Sequence, residues 1–327
     1  MEIGNQILKN PVSHALQLIG DRWTIYILRD AFLGRHRFNE FIKYSVQSRV
    51  TLTSRLEWLI ENDIFYKNQY MEKPPRYEYK LTPKGLGLYP WALMIWQWES
   101  SWADQDTRYV PKTLFHSTEQ KNTDHSTDNP HKLIPVVVCR HCQESVTSSD
   151  TKTVKLDNLA ATPEVSKPLI NQGTHRRTRK TKLDAEDKSL DHIVDIIGDR
   201  WSYLVVAACF FGIRRFDDFQ NELEIATNIL SDRLKKLTGL GVLLRTQYQD
   251  SPKRFEYVLT DKGKSLYPQT LALRQWAIDY LEHDEVSFSL IHTQCGQELN
   301  VDVVCDDCNA IPKVNEVSFK NLTDSVN

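Results

Sequence analysis

The sequence predicts a mainly α chain of the α+β class, in which one small domain with a short β-hairpin occurs twice in tandem. Three observations predict it: an ungapped internal repeat, apolar residues at helical spacing, and, in each repeat, two β-rich runs around a basic turn. The repeat is the firmest. Ile19-Gly20-Asp21-Arg22-Trp23 returns as Ile197-Gly198-Asp199-Arg200-Trp201, and the offset of 178 residues holds to Trp98 and Trp276. Roughly 31 of about 85 aligned positions are identical, which shared composition cannot produce. A length of 327 residues suits two domains, each able to bury its own core.

Each element follows in order. Val12, Leu16 and Ile19, then Trp23, Ile27 and Leu28, recur at three- and four-residue steps and predict two opening helices. Gly34 breaks the pattern, and Phe38, Phe41 and Ile42 start a third. Ser48 offers an N-cap oxygen to a fourth helix, whose apolar stripe is Leu52, Leu56 and Leu59. Two short helices joined by a tight turn, the second polar on its outer face, form a helix-turn-helix pattern. Ile64 to Met71 and Tyr77 to Leu81, separated by Lys73-Pro74-Pro75-Arg76, read as a hairpin with a basic tip, a wing. The fold is therefore two winged helix-turn-helix domains in tandem. Thr82-Pro83 starts a last helix on which Trp91, Ile95, Trp98 and Trp102 share one face, a candidate dimer seam.

The chain divides into a first domain over 1–110, a degenerate His/Cys tail over 111–142, a flexible polar linker over 143–188, a second domain over 189–284 and a knuckle-like Cys/His tail over 285–315. The linker is rich in Ser, Thr, Asp and Lys and carries one basic run, His175 to Lys182, read as a solvated tether or a phosphate-backbone contact. A mean hydropathy of -0.47, an apolar maximum at Tyr203 to Phe211 too short for a bilayer, and no secretory signal at Met1 to Asn5 place the chain in the cytoplasm. A net charge of -2 excludes a uniformly basic coat but not a local basic face.

Gly20-Asp21-Arg22-Trp23, Arg37-Phe38-Asn39-Glu40, Leu52-Thr53-Ser54-Arg55-Leu56 and the run from Pro74 to Gly85 together resemble the HxlR-type winged helix-turn-helix transcriptional regulators of bacteria. The second repeat is similar, with Ile225 to Leu234 in place of the recognition-helix signature. The resemblance implies a DNA-binding regulator that self-associates through its first and last helices. Here that means either a pseudo-dimer within one chain or a homodimer. Asn10 stands where thiol-sensing members carry a cysteine, and Lys188 where the second repeat would, so that form of sensing is not expected.

Base reading needs forked or short polar side chains, and affinity needs cations near phosphate. In repeat one these are Ser48, Arg49, Thr51, Thr53 and Ser54 at the head of the recognition helix, with Arg37, Arg55, Lys73 and Arg76 for the backbone; Arg55 has a structural alternative. Repeat two offers Thr227, Asn228 and Ser231, with Arg215, Arg233, Lys253 and Arg254. Residues 1–103 hold 13 Lys+Arg against 10 Asp+Glu, whereas 190–283 hold 12 against 13, so repeat one is expected to bind DNA more strongly.

His292, Cys295, Cys305 and Cys308 give H-x2-C-x9-C-x2-C, a set that suits one tetrahedral structural zinc, with Gly296 making the tight knuckle; the alternative is reduced, unliganded thiols. Behind repeat one, Cys139, Cys142 and His116 remain, Glu119 replaces the counterpart of Cys295, and His125, His131 or His141 would have to complete a site, so no metal is expected there. Cys209 reads as a core thiol. Other functions weighed are a winged-helix ligand- or protein-interaction module without DNA binding and a zinc- or thiol-dependent enzyme. No open three-ligand site with an adjacent base stands out, so catalysis is not expected.

Overall fold

The computed structural model describes residues 7–8, 10–45, 48–102, 112–117, 130–155, 189–281 and 288–321. The first half runs α1 (Pro11–Ile19), α2 (Arg22–Phe32), α3 (Phe38–Ser45), α4 (Arg49–Glu61), β1 (Phe65–Met71), β2 (Arg76–Leu81), α5 (Pro83–Leu86) and α6 (Tyr89–Trp102). Its tail adds β3 (Lys112–His116), β4 (His131–Lys132), β5 (Pro135–Cys139) and β6 (Thr151–Lys155). The second half repeats the series as α7 (Asp191–Ile197), α8 (Arg200–Phe210), α9 (Phe216–Leu223), α10 (Thr227–Gly239), β7 (Leu243–Gln249), β8 (Arg254–Leu259), α11 (Asp261–Lys264) and α12 (Tyr267–Tyr280). Its tail supplies β9 (Phe288–His292), β10 (Val301–Cys305) and β11 (Val317–Asn321).

Local chemistry sets the starts of these helices. Asn10 caps α1 by accepting from the Ser13 amide at 2.9 Å, and Asp21 caps α2 from Trp23 and Thr24. Thr82 and Thr260 cap α5 and α11 through the amides of Gly85 and Gly263. Those glycines are required by close approach: a Cβ on Gly85 would lie 2.2 Å from the Ile64 carbonyl oxygen, and one on Gly263 2.3 Å from that of Val242. The wings are antiparallel pairs, β1 with β2 and β7 with β8, in matching registers.

The tails change partners. β5 pairs with β10 of the other half, with Val137 opposite its own counterpart Val303. β3 pairs with β11, and β6 with β9, again across the halves. At the other end of the contact, Asp21 forms an antiparallel bridge with its counterpart Asp199. Equivalent residues meeting antiparallel at two places mark a pseudo-twofold axis. The helices obey it too: α1 packs on α12, α7 on α6, and α6 on α12. Trp91, Ile95 and Trp98 are buried, and the Trp98 indole donates to Ser265 Oγ at 2.8 Å while Trp276 donates to the Lys84 carbonyl at 2.9 Å. The aromatic seam is thus filled from within the chain, with half-exposed Trp102 at its edge.

The reading of 143–188 as a polar tether needs correction at its start, because alternating Thr151, Thr153 and the neighbouring Val154 form β6 against β9. The basic run from His175 to Lys182 lies outside the described residues.

Candidate nucleic-acid interface and Cys/His clusters

The head of α4 is built by its cap. Ser48 accepts from the Thr51 amide at 3.1 Å, and its hydroxyl lies 2.8 Å from Thr51 Oγ1, which leaves the first turn presenting Arg49, Val50, Thr53 and Ser54 to solvent. The Arg49 guanidinium sits 5.7 Å from the centre of the Phe38 ring, a contact that holds it over the turn between α3 and α4. Val50 is 81% exposed. Sequence reasoning missed it, although its phase is opposite to Leu52, Leu56 and Leu59; at the tip of a recognition helix a methyl pair can meet a thymine methyl. In α10 the cap is Ala226, with no side-chain bond, and Gln220 Nε2 instead donates to Thr227 Oγ1 at 3.0 Å. Thr227, Asn228, Ser231 and Asp232 are exposed there.

Two candidate arginines serve the fold. Arg55 Nε lies 3.5 Å from Asp21 Oδ1 with a side chain only 19% exposed, and Arg233 is ion-paired with Asp199. Both tie a recognition helix to the aspartate that caps the second helix of its own half and bridges at the pseudo-twofold axis. The ion pairs give Arg55 the structural task that was its alternative to phosphate contact, and give Arg233 the same task in its own half. Arg37 packs 4.8 Å over the Tyr70 ring and reaches Glu78 Oε1 at 3.4 Å, while Arg215 packs 4.7 Å over Tyr248. These contacts brace each wing against its helix pair. Lys73, Arg76, Lys253 and Arg254 remain exposed at the wing tips.

The metal expectation is corrected in a more basic way. His292, Cys295, Cys305 and Cys308 are not brought together. His292 and Cys295 join Cys139 and Cys142, whereas Cys305 and Cys308 join His116 and His131; within each cluster the ligand atoms lie within 4.8 Å of one another. The exchange follows from the β5–β10 pairing, which sets the Cys-x-x-Cys of each tail beside the histidine of the other. Three of the ligand pairs sit in matching knuckles, each closed by a residue of positive φ directly after the second ligand: Gln143 at 62°, Gly296 at 69° and Asn309 at 56°. His131 takes the place left by Glu119, because β3 and β4 set His116 directly opposite His131. Glu119 and His125 lie outside the described residues. Cys209 packs against the core, apart from both clusters, and burial pushes its thiol up to about 12.

Comparison with known proteins places this geometry. The model of the HxlR-like helix-turn-helix family matches residues 18–107 and again 196–285. An uncharacterized HTH-type transcriptional regulator of Mycobacterium tuberculosis is 33% identical over 139 residues, covering 42% of this chain and 85% of that one. The regulator YvaP of Bacillus subtilis, also uncharacterized, is 38% identical over 90 residues, 27% of this chain and 83% of its own. Among solved structures, PA1607, a putative transcription factor, is 40% identical, covers 35% of this chain and 81% of its own, and superposes with a TM-score of 0.32.

Proposed function

The chain belongs to the HxlR-like helix-turn-helix family and is a DNA-binding transcriptional regulator, and from that premise we propose that its two halves act as one intrachain pseudo-dimer on a single asymmetric site. The observation that carries this reading is the pairing of equivalents, Val137 on Val303 and Asp21 on Asp199, which gives one polypeptide the symmetry a two-chain regulator has. Arg49, Ser48, Val50, Thr53 and Ser54 read bases in one half-site, and Thr227, Asn228 and Ser231 read a different sequence in the other. Lys73, Arg76, Lys253 and Arg254 hold the flanking backbone. The family is one of transcriptional regulators, which supports a role in regulation without catalysis and work on DNA in the cytoplasm. No helix among the described residues is long and apolar enough to cross a membrane.

The test is retardation of DNA from the region upstream of the coding sequence, titrated with salt, followed by footprinting. The expected result is two protected, dissimilar half-sites bound by one chain, with log affinity falling linearly against log salt. A perfect palindrome bound by two chains would overturn the pseudo-dimer.

The clusters extend the proposal to two structural zinc ions per chain. Zinc bonds of about 2.3 Å to sulfur and 2.0–2.1 Å to imidazole set tetrahedral edges of about 3.3–3.8 Å. The separations bracket that range, from 3.2 Å between His131 Nε2 and Cys305 Sγ to 4.0 Å between the Cys139 and Cys295 sulfurs. His116 and His292 turn Nδ1 to their cysteines, at 3.4 Å from Cys308 and from Cys295. Their Nε2 atoms are buried with no hydrogen-bond partner, and Glu316 lies 3.7 Å from that of His116, where a carboxylate supports a metal-bound imidazole. Each ion would draw two ligands from each tail and so staple the halves.

A further inference from the structure

The two halves are not equally filled. In the first, Trp96 of α6 and Phe319 of β11 meet with ring centres 4.8 Å apart, and Arg29 of α2 is buried against Asp30 at 2.9 Å. Through the pseudo-twofold axis the corresponding residues are Arg274 and Ala207 of the second half and Thr153 of the exchanged first tail. Smaller or more polar side chains at these three places line a cavity of about 590 Å³, counted out into the open solvent at its mouth. Val12, Thr151 and Thr153 line it from the first half; Phe210, Leu271 and Arg274 line it from the second.

Arg274 is the unusual member. It is only 6% exposed; Nη1 donates to the Leu299 carbonyl at 3.1 Å, while Nε has no acceptor. Glu298, which favours the charge of Arg274, itself accepts from Ser289 at 2.8 Å, and among the described residues no carboxylate pairs with the guanidinium. A buried cation without a counter-ion is costly, and burial lowers its proton affinity. The first half avoids that cost, since Arg29 there has Asp30. Around Arg274 the walls supply hydroxyls, from Thr151 and Tyr267, which lie 2.6 Å from one another, and an apolar face from Phe210, Phe211 and Leu271. An apolar cavity with one unpaired cation and a few hydroxyls suits a ligand with an apolar body and one negative end.

We propose that this cavity binds a small organic anion, a carboxylate on an aromatic body, with the carboxylate on Arg274 and the ring among Phe210, Phe211 and Leu271. Walls from both halves make a bound anion bear on the spacing of the two recognition helices. That consequence rests on the DNA-binding reading, so binding is measured without DNA and the two fail separately.

The experiment is calorimetric titration of the zinc-loaded full chain with benzoate, phenylacetate and indoleacetate, and with the amide of each. At least one carboxylate is expected to saturate at one per chain, with its amide about tenfold weaker or worse, the effect of losing a charge-assisted hydrogen bond. Arg274→Gln should weaken the carboxylate by a similar factor. The double variant Thr153→Phe with Arg274→Trp copies the aromatic pair that the first half already packs, and it should abolish binding while raising the melting temperature. It also carries the test if Arg274→Gln fails to fold. No saturable binding of any of the three carboxylates, or undiminished binding in the double variant, would overturn the proposal.

Discussion

At the scale of single residues, the arginines divide by what faces them. Arg55 and Arg233 have aspartate partners and a structural task, whereas Arg49 packs over the face of Phe38 and is exposed beyond it. Arg49→Ala should therefore cost about 1–3 kcal/mol at one or two base pairs and leave other positions unchanged. Arg76→Ala on the wing should weaken all sequences alike and reduce the salt slope by about 1. Binding curves on a set of single-base variants of the site separate the two. Uniform weakening by Arg49→Ala would remove it from base reading.

Elements meet at one titrating contact. Glu99, near the end of α6, is buried and accepts from the His192 and Ile193 amides at 3.2 and 2.8 Å, where α7 begins. Burial outweighs those bonds and pushes its carboxyl up from 4.5 to about 7. A folded-state pKa above the unfolded one means the native chain holds the extra proton. The stabilisation it brings is complete below about pH 4.5 and is lost as pH rises to about 7. Relative to Glu99→Gln, which does not titrate, the wild type should lose up to about 1.4 kcal/mol per pH unit across that window and then level off. Urea unfolding of both proteins across the window checks this, and a flat difference would remove Glu99 from the account.

Across the whole molecule, the exchanged tails make two further expectations. Elemental analysis should find two zinc ions per chain. Cys139→Ser and Cys305→Ser should each remove one ion and leave the other, since these cysteines belong to different clusters. A single ion per chain, or loss of both on either change, would contradict two separate sites. Residues 1–110 alone should not behave as a free monomer, because Trp91, Ile95 and Trp98 lose the cover of α12 and the tryptophan face becomes a large apolar patch. Sedimentation should show self-association, and DNA affinity should fall with the loss of the linked second module.

By itself, the sequence determined what local periodicity and repetition encode: two copies of a winged helix-turn-helix, the caps at Ser48 and Thr82, the wing around Lys73 to Arg76, and the family. These depend on contacts a few residues apart, or on a motif that recurs intact. Which cysteine meets which histidine was not legible, because spacing favours the ligands nearest in the chain, whereas the β5–β10 pairing joins residues more than 150 positions apart. Nor was the task of Arg55, whose partner Asp21 caps another helix, or the cavity beside Arg274, which three separate elements line with smaller or more polar side chains than their counterparts. Such features are set where the halves pack on one another, and only the tertiary structure decides that.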